Sequence, residues 1–269
     1  ADGTFRVIPI GYDQLYTIHG FINGEVFPVV YALLSERTEQ SYQQLFQEIL
    51  TLNAGLDPLS IVFDFELAAI RAFQNTFPTA TVTGCMFHLG QCVWRKLQTE
   101  GFSERYRHEP DFALLVKCIL ALAFIPPNDV IEVFEILTAD PAYRVIEVIC
   151  DYMEDNFIGR QRRGRRDRPR FAIILWNQYS RVIDNLPRSN NALEGWHNAF
   201  NNVVGCAHPS VPKLARKLQQ EQHSTQLHRR QLELGTTSGK KKKIYVRINE
   251  ALRSMVLDYH NRDRIQYLK

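Results

Sequence analysis

Apolar and polar positions alternate with a period near two over the first third of the chain. Residues 3–10 read as a strand, and Gly11-Tyr12-Asp13 reads as a turn. Gln14 to Ile22 is rich in β-branched and aromatic residues, which suit a pleated, half-buried surface. Asn23-Gly24 is the favoured dipeptide of a two-residue type I′ hairpin, and Val26 to Leu34 supplies the return strand. The pattern therefore predicts a three-stranded antiparallel meander. Thr38 then caps a helical stretch with apolar positions at Tyr42, Leu45, Phe46, Ile49 and Leu50. Leu59 to Phe63 is a short apolar run of the kind found in a fully buried strand. A helix with Leu67, Ile70, Phe73 and Phe77 follows it, then a strand over 79–82 and a helix over 89–97.

From about residue 103 the period changes to that of helices. Phe112 to Phe124, Val130 to Leu137 and Tyr143 to Phe157 carry it, with Pro126-Pro127 breaking the first from the second. Arg160 to Arg170 holds seven arginines in eleven residues and is expected to be an exposed loop. A helix runs from Asn190-Asn191 to about Val204, with Leu193, Trp196, Phe200 and Val204 as its buried stripe. Residues 209–269 read as helical and loosely packed, with a flexible Gly235 to Lys243 stretch.

At 269 residues, 45% of them hydrophobic, the chain can bury a sizeable core. It has no apolar run long enough to span a bilayer and no signal peptide, and without an initiator Met it reads as an internal fragment. Five scattered cysteines argue for a reducing compartment. The net charge of +3 conceals a division. Residues 1–157 hold 9 Lys/Arg against 21 Asp/Glu, a net −12, and the remainder holds 23 against 8, a net +15. A basic C-terminal part points to a polyanionic partner such as nucleic acid.

Three carboxylates stand in distinctive surroundings: Asp2 in Ala-Asp-Gly-Thr, Asp64 at the end of the buried strand, and Glu194 in Asn-Asn-Ala-Leu-Glu. Read locally, Asp64 is either a helix N-cap or a buried carboxylate awaiting a cation. Glu194 is either the reciprocal member of a capping box or a ligand, and it shares a helix face with His197. Cys85, His88, Cys206 and His208 together make a donor set zinc would accept, with core cysteines and hydrogen-bonded histidines as the alternative. Arg95, Lys96, Arg160, Arg162, Arg163, Arg165 and Arg166 are candidate phosphate contacts, and Lys240, Lys241, Lys242 and Lys243 are a phosphate patch or a nuclear localisation signal.

The order of these motifs resembles the transposase domain of Mutator-like elements, the MULE transposases. The resemblance runs through Asp2-Gly-Thr-Phe5, Leu15 to His19, Pro28 to Leu33, Asp64 to Ile70, Gly84-Cys-Met-Phe-His-Leu89, Ala121 to Pro126, Tyr152 to Arg160, Leu175-Trp-Asn177 and Asn190 to His197. It implies an α/β fold: an RNase H-like mixed five-stranded sheet with flanking helices, interrupted by an all-helical insertion. The core would begin with residues 1–102, the insertion would span 103–187, a closing helix with the catalytic Glu would span 188–208, and 209–269 would form a basic helical extension. By the same resemblance Asp2, Asp64 and Glu194 match a catalytic Asp-Asp-Glu triad holding two Mg²⁺ or Mn²⁺ ions, and Cys85 and His88 match a Cys-x-x-His motif. The implied activity is DDE-type cutting and joining of DNA at terminal inverted repeats and target sites, in the nucleus, by a homo-oligomer assembled on DNA. The alternative is a domesticated DNA-binding transcription regulator without catalysis. The family's upstream zinc-binding module and the first half of the strand bearing Asp2 are missing. Asp2 is therefore expected near a frayed terminus, in a fragment inactive by itself.

Overall fold

A computed structural model describes residues 1–22, 24–235 and 243–268. The chain forms two compact units. One comprises Ala1–Val82 with Asn190–Lys241, the other Thr83–Ser189 with Lys242–Lys269.

The first unit is built on the meander. Strands β1 (Asp2–Thr4), β2 (Gln14–Ile22) and β3 (Glu25–Leu34) pair antiparallel in that order. The hairpin expected at Asn23-Gly24 closes between Ile22 and Glu25, though Asn23 lies outside the described residues. Pro28 cannot donate to the ladder, and the register slips there: Ile18 faces Val30 while His19 faces Pro28, leaving Val29 as the extra residue of a bulge. The expected first strand stops at Thr4. Beyond it the chain loops to bury Val7 and Ile8.

At its start β2 is covered on both faces, with Gln14, Leu15, Tyr16 and Thr17 all buried. Alternation sends Tyr16 to one side, where it meets Tyr42 edge-on at 5.1 Å on helix α1 (Glu39–Leu52). Thr38 caps α1 as expected, its hydroxyl accepting from the Ser41 amide. Strand β4 (Ser60–Phe63) and helix α2 (Leu67–Thr76) follow. Phe46, Phe63, Phe73 and Phe77 form an aromatic cluster joining α1, β4 and α2. β4 pairs with β5 (Thr81–Gly84), on which the chain passes into the second unit.

The sheet corrects the expectation of five strands. Among the described residues β1–β3 and β4–β5 are separate sheets. The Ala1 backbone nitrogen donates to the Val62 carbonyl at 2.8 Å, tying the first sheet to β4.

The second unit is mainly helical: α3 (Met86–Thr99), α4 (Ser103–His108), α5 (Pro110–Ala121), α6 (Val130–Ala139) and α7 (Glu147–Met153), the last continuing into a π turn over Glu154–Ile158. Arg160 to Arg170 is not an open loop. It contains a small hairpin, β6 (Gln161–Arg162) and β7 (Arg165–Arg166), turned through Arg163 and Gly164 with φ of 48° and 77°. Helices α8 (Ile173–Trp176) and α9 (Tyr179–Ile183) follow. The Leu-Trp-Asn motif proves to be internal bracing. The Trp176 indole donates to the Phe157 carbonyl, Asn177 to Ile125, and Gln178 to Gly84, each at 2.8 Å.

The chain returns to the first unit through α10 (Asn191–Val204) and α11 (Val211–Glu233). Phe200, Val204 and Leu214 close over Val7, Ile8 and Leu15, on the face of β2 opposite Tyr16. Helices α12 (Lys243–Leu257) and α13 (Arg264–Leu268) end the described chain in the second unit. No helix among the described residues is long and apolar enough to cross a membrane, and all five cysteines are free thiols.

Candidate active site

The two helices that sandwich β2 determine what its neighbours can reach. Asp2 lies directly opposite Thr17, so both side chains stand on the α10 face of the sheet. Gly3 lies opposite Tyr16, on the α1 face. There a Cβ on residue 3 would meet the Gln14 Oε1 at 2.1 Å, which is why this position takes glycine. The Gln14 amide is in turn held by its bond to the Tyr42 hydroxyl at 2.5 Å.

Asp2 does not fray. It is 8% exposed, its Oδ1 accepts from the Gly3 amide at 2.8 Å, and its neighbour Ala1 is tied at both ends. The Ala1 ammonium donates to Val62, and the Ala1 carbonyl accepts from the Asn190 side-chain amide at 3.2 Å. These two bonds bring β1 to the end of β4, where Asp64 follows, and to the start of α10, which carries Glu194. A carboxylate oxygen of Asp2 and one of Glu194 lie within 4.8 Å of each other.

Both local alternatives for the later carboxylates resolve against capping. The N-cap of α2 is Glu66, two residues beyond Asp64. The N-cap of α10 is Asn190, whose side chain makes no capping bond. Glu194 falls one position past the place a capping-box Glu would hold, and its amide bonds the Asn190 carbonyl.

The electrostatics are those of crowded, partly desolvated acids. Burial, and then the charge of Asp64, push the Asp2 carboxyl up to about 6, against which the Gly3 amide works only partly. Glu66 is raised by the same two causes. Tyr16 is held well above its ordinary value by burial and by Asp64. His197, on the same face as Glu194, is pushed down to about 4 by burial, and His19 to about 3. A divalent cation among the carboxylates would offset this repulsion, and hard oxygen donors are the set such cations take.

Sequence reasoning passed over Thr17, Asn190 and Glu66. Glu66 had a legible signal, as the second acid of Asp-Phe-Glu. Thr17 and Asn190 act through cross-strand pairing and a bond spanning most of the chain, neither of which has a local signature.

Of the other candidates, Cys206 and His208 are bonded to separate partners. Cys206 accepts from the Lys213 ammonium at 3.1 Å, and the His208 Nδ1 lies 3.1 Å from the Ile8 carbonyl. Cys85, buried, opens α3, and His88 lies one turn on. Among the described residues neither Cys85, Cys206 nor His208 belongs to a group of three metal-binding side chains. On α3 Arg95 is exposed, while Lys96 pairs with Glu100 at 2.5 Å.

The arginine run divides sharply. Arg160 is paired with Asp155 and Asp151, and Arg162 with Asp167. Arg166, its side chain 14% exposed, reaches Glu135 at 2.6 Å, Glu154 at 2.8 Å and the Gly159 carbonyl at 2.5 Å. Arg163 and Arg165 make no ion pair among the described residues. Lys240, Lys241 and Lys242 lie outside the described residues, and of Lys243 only the backbone is described.

Within a mixed α/β unit, Asp2 on β1 and Glu194 in the first turn of α10 thus come close together. Residues 1–91 match the family model described as the MULE transposase domain, which supports the resemblance read from the ordered motifs and points to a transposase-related function. Asp2, Asp64, Cys85 and His88 fall within that match, and Glu194 lies beyond it. Neither a curated protein nor a solved structure matches the chain.

Proposed function

We propose that the chain is the catalytic domain of a DDE-type DNA transposase, with Asp2, Asp64 and Glu194 as its metal-binding triad. The observation that carries this reading is the approach of Asp2 to Glu194, from opposite ends of a long intervening sequence, at a place where Asp2 also senses the charge of Asp64. Two Mg²⁺ or Mn²⁺ ions held there would supply stabilisation of the attacking and leaving oxygens in a phosphodiester displacement.

The chain's own residues prepare that site. The Gly3 amide orients the Asp2 carboxylate, the bonds of Ala1 hold it against β4 and α10, and the first turn of α10 presents Glu194. The DNA partner would be met by exposed cations rather than by the whole arginine run. Arg163 at the hairpin tip, Arg165 beside it and Arg95 on α3 are the candidates, whereas Arg166 is committed to its carboxylates. Homo-oligomerisation on DNA, nuclear residence and the Lys240–Lys243 patch belong to the same proposal.

Nicking of supercoiled plasmid DNA by the chain in Mg²⁺ or Mn²⁺ tests it. Asp2→Asn, Asp64→Asn and Glu194→Gln should each lower the nicking rate by about a hundredfold or more while plasmid affinity stays within about twofold. Nicking at the unaltered rate by Asp64→Asn would overturn the assignment. Plasmid binding without any nicking would favour a regulatory role.

A further inference from the structure

The triad leaves one buried group on the same face without a role. His197 lies one turn beyond Glu194 on α10 and is 7% exposed. Its Nε2 is 3.0 Å from the Thr17 hydroxyl, and its Nδ1 is 3.9 Å from the Asp2 Oδ2. Thr17 is fully buried, and its hydroxyl donates to the Asp2 backbone carbonyl at 3.3 Å.

These contacts suit one tautomer of the imidazole. A hydroxyl has one proton to give, and when that of Thr17 goes to the Asp2 carbonyl the hydroxyl accepts from Nε2–H of His197. A proton on Nδ1 would gain no hydrogen bond, because 3.9 Å to Asp2 is too long for one. Nδ1 thus presents a lone pair to a carboxylate oxygen, two acceptors facing each other across a gap. Two ligand bonds of about 2.1 Å each are long enough to bridge such a gap.

We propose that His197 is a further ligand of the carboxylate site, its Nδ1 sharing a cation with Asp2, and that Thr17 is the positioning residue that turns the ring this way. The inference rests on the triad reading above and adds the His197 imidazole to the donors beside Asp2. Imidazole in such a set shifts preference from Mg²⁺ toward transition ions such as Mn²⁺. The hydrogen bond from the far ring nitrogen to Thr17 is the arrangement that fixes tautomer and orientation in metal-binding histidines.

The test is Mn²⁺ binding to the full chain, followed by electron paramagnetic resonance, with electron spin-echo envelope modulation to detect ligand nitrogen. The bound ion should show ¹⁴N modulation from imidazole, and His197→Gln should reduce it. His197→Gln should also weaken Mn²⁺ more than Mg²⁺. Thr17→Val should weaken Mn²⁺ by about tenfold, with Thr17→Ser restoring it. Bound Mn²⁺ without ¹⁴N modulation, modulation left unchanged by His197→Gln, or unaltered affinity in Thr17→Val overturns the assignment of His197 while leaving the triad standing. Failure of the wild-type chain to bind Mn²⁺ at all overturns both.

Discussion

The side-chain amide of Asn190 donates to the backbone carbonyl of Ala1 at 3.2 Å. That bond joins the residue before Asp2 to the residue that opens α10, and so sets the distance between Asp2 and Glu194. Asn190 is 2% exposed. Asn190→Ala should therefore cost about 1–3 kcal/mol, the cost of leaving a buried polar partner unmade. It should also weaken Mn²⁺ binding, because Asp2 and Glu194 lose their common anchor. Urea unfolding and a Mn²⁺ titration check the two effects separately. A destabilised variant with unaltered Mn²⁺ affinity would show that the bond braces the fold without setting the site.

The acid groups and the histidines respond to pH in opposite directions. Asp2 protonates near 6 in the folded chain and near 3.8 when unfolded, so its burial costs stability above about 6. That cost is relieved as the pH falls toward 4. His197 and His19 stay neutral down to about 4 and 3, whereas unfolded histidines take protons from about 6.5. Their contribution is full above 6.5 and is lost as the pH falls below it. Two histidines against Asp2 and the less shifted Glu66 predict net destabilisation between pH 6.5 and 4.5 in metal-free buffer, read as a falling urea midpoint. Divalent cations should raise the melting temperature more at pH 7.5 than at pH 5, where protons compete for Asp2.

Gly3→Ala places a methyl where the Gln14 side chain lies, at 2.1 Å from its Oε1. Gln14 is buried and bonded to Tyr42, so it has little room to withdraw. The substitution should cost about 1–3 kcal/mol, measured by denaturant unfolding. It should also lower Mn²⁺ affinity, because residue 3 supplies the amide that orients Asp2.

Trp196 anchors α10 to α11 and to the sheet. Its ring stacks on Phe200 with centroids 4.9 Å apart and 9° between planes, and its indole donates to Glu221 at 2.7 Å. Trp196 is only partly buried, so Trp196→Ala should destabilise the chain by about 2–3 kcal/mol, less than a fully buried Trp would. Trp196→Phe should recover most of this, lacking mainly the indole bond. Denaturant unfolding of the two variants side by side checks the ranking.

The arginine hairpin offers a separation of stability from binding. Arg166→Ala leaves Glu135 and the half-buried Glu154 without their cation and should cost about 3 kcal/mol. The double change Arg163→Ala with Arg165→Ala should leave unfolding unaltered. It should weaken plasmid binding and reduce the salt dependence of the affinity by about two phosphate contacts. Fluorescence anisotropy over a series of salt concentrations measures this. Equal affinity in the double variant would remove the hairpin from the DNA-binding surface.

How much was legible in advance depended on the range of the interaction involved. The meander, the Thr38 cap and the helices on either side of β4 follow local rules of alternation, turn chemistry and capping, and they appear where those rules put them. The fate of Arg160 to Arg170 was harder to read. Composition marks such a run as solvated, yet Gly159 at a φ of 96° and carboxylates on α6 and on the π turn after α7 pull Arg166 inward and shape a hairpin. Gly159 cannot be replaced there without meeting the Asp167 carbonyl at 2.0 Å, a close approach invisible before the fold is known.

The sequence by itself determined the elements of the first unit, the position of Asp64 after a buried strand and of Glu194 in the first turn of a helix, and the resemblance to MULE transposases. Tertiary structure alone decided what those positions mean. Asn190 had a choice between capping its own helix and bonding Ala1, and Glu194 between completing a capping box and facing Asp2. In each case a local hydrogen bond competed with one that spans nearly the whole chain. Local sequence states only the first competitor, because the second exists only after β1, β4 and α10 have packed around Asp2.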